Sequence, residues 1–130
     1  MNKKQGFVTL IAVLIVSAVA VAVTVSLVLL GLASSRTSLA TTQSHQANML
    51  ANTCAEEALQ ILKDSAPLTA TGSFVFSYGS CSYSIVNTGM QKRTIMSSGV
   101  AGTIIRKVEV TIGSVTPEIT VTSWYEVADF

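Results

Sequence analysis

Residues 5–35 carry no charge, a run of 31 in a chain of 130. Every Lys, Arg, Asp and Glu lies in residues 1–4 or from Arg36 onward. Residues 7–32 read FVTLIAVLIVSAVAVAVTVSLVLLGL, interrupted on the polar side by Thr9, Ser17, Thr24 and Ser26. A membrane-spanning helix needs about 20 such residues at ~1.5 Å rise each. The many valines favour a strand in water. In lipid, though, a lone strand leaves its backbone groups unpaired at several kcal/mol each, so a helix is expected. The small hydroxyls are tolerated because they can bond back to the preceding turn.

A secretory signal is the rival reading, with cleavage in the stretch from Gly31 to Ser35. Such signals have apolar cores of roughly 7–15 residues, about half the length found here. Lys3 and Lys4 precede the stem, and Arg36 is the flanking charge beyond it. That asymmetry places the N-terminus in the cytoplasm and everything after the stem outside. Roughly ninety residues remain for a folded module, which is small and has a limited core. A net charge of +1 names neither nucleic acid nor acidic substrates as obligatory partners.

Past the stem the chain stays helix-like without a breaker. No proline precedes Pro67, and Gly31 is the one glycine between Gly6 and Gly72. Ala47, Leu50, Ala51, Cys54, Ala58, Ile61 and Leu62 fall on one helical face, with Glu56, Glu57 and Lys63 off it. Asp64, Ser65, Ala66 and Pro67 supply the stop. A single helix over residues 7 to about 63 would approach ~85 Å. A break near Gly31, or at Ser34 and Ser35, is the alternative.

Beyond Pro67 the character changes to β-branched and aromatic residues punctuated by glycine. Strands are expected at 74–78, 82–87, 93–98, 103–112 and 118–127. Turns are expected at 78–80, 87–89, 99–102 and 113–117. In the fourth strand Val108, Val110 and Ile112 alternate with Lys107, Glu109 and Thr111, which predicts an antiparallel sheet with one covered face. The helix stripe around Leu50 and Cys54 is its cover. The fold class is therefore α+β. Four segments are expected: a leader (1–6), an apolar helix (7–33), its amphipathic continuation (34–64) and an antiparallel β module (65–130).

Cys54 falls on the buried stripe and Cys81 at a strand edge. Outside the cytosol a bridge between them can persist, closing a 27-residue loop worth about 3.5 kcal/mol in the chain-entropy model. Two separately buried thiols are the other reading. No enzyme, metal site or cofactor is expected. His45 is the single histidine, without ligands at suitable spacing, and the adjacent Glu56 and Glu57 point different ways around a helix. Lys92 and Arg93, with Arg106 and Lys107 on a neighbouring strand, would form a small basic patch able to meet DNA phosphates. Ordinary edge and surface charge is the plainer explanation of both doublets. Trp124 and Tyr125 are either exposed aromatics or packed on the sheet.

Residues 3–18, KKQGFVTLIAVLIVSA, resemble the class III leader of type IV pilins and pseudopilins. That family has a short basic leader, a glycine, and a phenylalanine opening a long apolar helix. The resemblance implies cleavage by prepilin peptidase between Gly6 and Phe7, and methylation of Phe7. A long helix followed by an antiparallel sheet is also the pilin architecture. One departure stands out. Most members carry a glutamate five residues past the cut, and here Ile11 holds that place. In filaments that carboxylate is thought to meet a neighbour's N-terminal amine, an attraction that is strong in low dielectric.

Members that lack it include tip pseudopilins and several minor pilins. The segment QANMLANTCAEEA at 46–58 also looks like such minor pilins. The resemblance therefore implies a minor or initiating filament subunit stored in the cytoplasmic membrane. Its partners would be other pilin subunits, prepilin peptidase and membrane lipid, with a cell-surface filament as the destination. Phe7, Thr9, Leu10, Ile11 and Leu14 would make the first contacts with neighbouring helices. Two alternatives remain: an uncleaved signal-anchored protein whose external module binds a ligand, and a module secreted after signal cleavage.

Overall fold

The computed structural model describes residues 3–130, and side chains from residue 6 onward. The start of the expected leader, and the side chains of Lys3 and Lys4 on which the orientation argument rests, lie outside the described residues. The order is one helix, α1 (Lys3–Ser65), then five strands: β1 (Ala70–Phe76), β2 (Gly79–Asn87), β3 (Arg93–Ala101), β4 (Ile104–Ser114) and β5 (Thr120–Val127). This is the α+β arrangement expected from the sequence, with the later part of α1 packed on the sheet. Neither Gly31 nor Ser34 and Ser35 interrupts α1. The chain separates into two compact units, Met1–Leu39 and Ala40–Phe130.

In the first unit the side chains of α1 from residue 6 onward are exposed, and the hydroxyls of its apolar stretch are turned back onto the helix. Thr9 donates to the Gly6 carbonyl at 2.9 Å, Ser17 to Leu14 at 2.9 Å, Thr24 to Val21 at 2.8 Å and Ser26 to Ala22 at 2.8 Å. Each donor is thus satisfied without water, as lipid requires.

In the second unit Ala47, Leu50, Ala51, Cys54, Ala55, Ala58 and Leu62 of α1 are buried against Cys81, Tyr83, Ile85, Ile95, Ala101, Val108, Val110 and Ile112 of the sheet. The stripe matches the expected one, with Ala55 added and Ile61 only partly covered. Four alanines in it let the helix backbone approach the sheet closely. At the helix end the Ala66 N–H donates to the Leu62 carbonyl at 3.0 Å, with Ala66 in the left-handed region (φ 44°). Pro67 comes next and cannot continue the helix.

The sheet is a meander, β1-β2-β3-β4-β5, antiparallel throughout. The expected strands are all present, but two expected turns move. Gly79 opens β2 opposite Phe76, so the tight turn is Ser77 and Tyr78. β3 runs on through Gly99 to Ala101, and the turn falls at Gly102 (φ 59°) and Thr103. Gly99 serves packing instead. A methyl group there would lie 2.1 Å from the Ala47 carbonyl oxygen and 2.5 Å from the Ala51 nitrogen, so only glycine lets α1 sit this close.

Candidate functional site

Two features could carry function, and each belongs to its own unit. The first is the stem. Phe7, Leu10, Ile11 and Leu14 are exposed, as are the large apolar residues from Val13 through Leu32. The helix is long and apolar enough to cross a membrane, and none of its most apolar stretch is buried within the chain. Ile11 presents hydrocarbon where an acid would present charge, and no acid precedes Glu56. Gly6 has open space where a Cβ would project. A helix with an apolar surface on every side is stable only in lipid or among other helices.

The second feature is the β module. Cys54 on α1 and Cys81 on β2 form a disulfide with Cα atoms 6.0 Å apart, so the bridge is present and separate thiols are not. It ties the helix to the sheet beside the β1–β2 hairpin. There, Phe76 and Tyr78 stack with ring centres 5.6 Å apart. Beneath Tyr78 a shallow cleft of about 300 Å³ is lined by Gln46, Met49, Leu50, Thr53 and Tyr78.

The basic patch does not form. Arg93 pairs with Ile112 and Arg106 with Gly99, six residues further along β3, which is roughly 20 Å at ~3.3 Å per residue. Arg93 is only 5 % exposed. Its guanidinium donates to the carbonyls of Pro67, Gly89 and Lys92 and to Asn87 Oδ1, at 2.9 to 3.2 Å. It gathers the ends of three segments rather than facing a partner. Arg106 lies on the helix-facing side, donating to Ser44 Oγ at 3.0 Å and to Glu126 Oε1 at 2.7 Å. Lys107 points to the other face, paired with Asp129 and sitting 4.9 Å from the Phe130 ring centre. Lys92 is exposed, Arg93 is buried, and Arg106 and Lys107 are each met by an acid at the other end of the hairpin, so the four charges do not gather into one patch.

A polar seam between α1 and β5 had no signal in the sequence. Trp124 Nε1 donates to Asn52 Oδ1 at 2.9 Å, and Asn52 Nδ2 donates to Asn48 Oδ1 at 2.9 Å. Ser44, Asn48 and Asn52 stand one turn apart on α1, a spacing whose meaning is visible only once the facing strand is known. Trp124 is thus held at the helix while remaining partly exposed. Ser97 likewise donates to the Ala51 carbonyl at 2.6 Å inside the core. On the opposite face the Tyr125 hydroxyl donates to Glu109 at 3.0 Å, and this bond, with the nearby charge, raises the phenol above its usual range. The Lys107 bond, with the Phe130 N–H, holds the Asp129 carboxyl below its usual range.

Among the described residues no three His, Cys, Asp or Glu side chains gather as metal ligands, and His45 and Glu56 are exposed. No family model, curated protein sequence or solved structure matches this chain.

Proposed function

We propose that the chain is a structural subunit of a type IV pilus-like filament, of the minor kind, with no enzymatic role. Before assembly the stem is held in the cytoplasmic membrane, N-terminus inside and β module outside. Prepilin peptidase cuts between Gly6 and Phe7, and the freed helix then joins the helices of other subunits. The observation that carries this reading is a bare apolar stem whose hydroxyls are all answered by its own backbone. Such a surface finds equivalent surroundings among lipid tails and among sister helices, so one sequence serves storage and assembly alike. The Cys54–Cys81 disulfide supports an extracytoplasmic module, because such bonds persist outside reducing compartments. Ile11 in place of an acid supports a minor or initiating position, since this subunit offers no carboxylate to a neighbour's terminal amine.

Mass spectrometry of the mature N-terminus tests the reading. N-methylated Phe7 is the expected result. A chain that still begins at Met1 would instead indicate a signal-anchored protein with a ligand-binding module, and a start near Ser34 a secreted one.

A further inference from the structure

The polar seam between α1 and β5 leaves part of its hydrogen-bonding capacity unused. Trp124, the single tryptophan of the chain, donates its Nε1–H to Asn52 Oδ1 and remains 40 % exposed. With its one polar atom bonded, the surface the ring presents to solvent is apolar. The same bond holds the ring against the helix, so a partner meets it already oriented.

A donor and an acceptor stand free beside that ring. Asn48 accepts from Asn52 through Oδ1, while its Nδ2, with two N–H groups, meets no acceptor among the described residues. Glu126 gives Oε1 to Arg106 at 2.7 Å, and its Oε2 meets no donor among them. Asn48 precedes Asn52 by one helical turn, about 6 Å along α1. Glu126 follows Trp124 by two residues on the same strand face, about 7 Å along β5. Arg106 closes that end of the seam by donating to Ser44 Oγ at 3.0 Å, and its charge balances that of Glu126.

We propose that this seam binds a neutral hexopyranose unit of a glycan, stacked on Trp124 and held by Asn48 and Glu126. A pyranose has the matching chemistry. One face is a sheet of C–H groups that packs on an aromatic ring, and the rim carries hydroxyls that both donate and accept. One hydroxyl accepts from Asn48 Nδ2 and another donates to Glu126 Oε2. Other ligand classes fit worse. A lipid tail would cover both polar groups without pairing either, which costs their hydration. A carboxylate or phosphate on the ligand would meet the open oxygen of Glu126 and be repelled. One stacked ring with two hydrogen bonds gives weak binding, with a dissociation constant on the order of 1 mM. The site stands whether or not the chain enters a filament.

Titration of the full chain in phosphatidylcholine vesicles with maltohexaose, cellopentaose, mannohexaose and chitohexaose tests the proposal. Trp124 is the sole indole, so tryptophan fluorescence reports this site directly. At least one of these neutral probes is expected to give a saturable change, and hexagalacturonate, which is anionic, none. Asn48→Ala and Glu126→Ala should each weaken binding about tenfold. Glu126→Gln keeps an acceptor and should stay within about threefold of the parent. Tyr125→Phe, on the opposite face of the sheet, should bind as the parent does. Circular dichroism and the urea midpoint identify variants that remain folded. Absence of a saturable change with all four neutral probes overturns the site. Folded Asn48→Ala and Glu126→Ala chains that bind as tightly as the parent overturn the roles of those residues, and saturation by hexagalacturonate overturns the neutral class.

Discussion

At the scale of single residues, the tightest constraint is at Gly99, where α1 crosses β3. Glycine in a strand signals either a turn or a close approach, and the sequence around it (SSGVAG) reads equally well as a turn. Only the backbone of Ala47 and Ala51 lying over it decides the matter. Because the obstructing atoms are backbone, they cannot rotate aside. Gly99→Ala is expected to lower stability by about 2–3 kcal/mol, read as an earlier urea midpoint with unchanged slope. Arg93 shows the same for charge. Beside Lys92 it looks like half of a surface doublet. It is buried because Pro67, 26 residues away in sequence, and the adjoining Asn87–Gly89 turn converge on its guanidinium.

At the scale of elements, periodicity carries most of the information. The apolar stripe over Ala47 to Leu62 and the alternation through Val108, Val110 and Ile112 are local patterns, legible before any partner is known. The Cys54–Cys81 bond joins these elements. Its loop spans 27 residues, so a Cys54→Ala/Cys81→Ala chain should lose about 3–4 kcal/mol in urea unfolding. A variant retaining either cysteine alone should recover none of that loss. Strand boundaries are less legible. Gly79 reads as a turn residue, yet it opens β2 because Leu50 and the Val100 carbonyl crowd the site where a side chain would stand.

At the scale of the whole molecule, the chain unites a stem that water does not tolerate with a module folded around its own small core. The stem's behaviour is set by its surface alone. Val16→Arg places a charge near the middle of the apolar run, where membrane insertion is disfavoured by about 2.5–3.5 kcal/mol. The expected result is a sharp fall in the fraction resisting alkaline extraction from membranes. Leu39→Arg, beyond the uncharged run, should leave that fraction unchanged. Leu39→Arg should also form the Cys54–Cys81 bond as the parent chain does, since among the described residues none before Gln43 contributes to the buried core.

The sequence by itself determined the long apolar helix, its amphipathic continuation, the antiparallel β character of the residues beyond Pro67 and the helix face that covers them. These are properties of composition and period, which each segment expresses without reference to the others. The tertiary structure alone decided that Arg93 is buried and the basic doublets stand apart, that Gly99 is a contact rather than a turn, and that Asn52 holds Trp124. It also decided which polar atoms beside Trp124 are left unpaired. Each of these depends on which residues, remote along the chain, are brought within a few ångströms, and no local pattern encodes that.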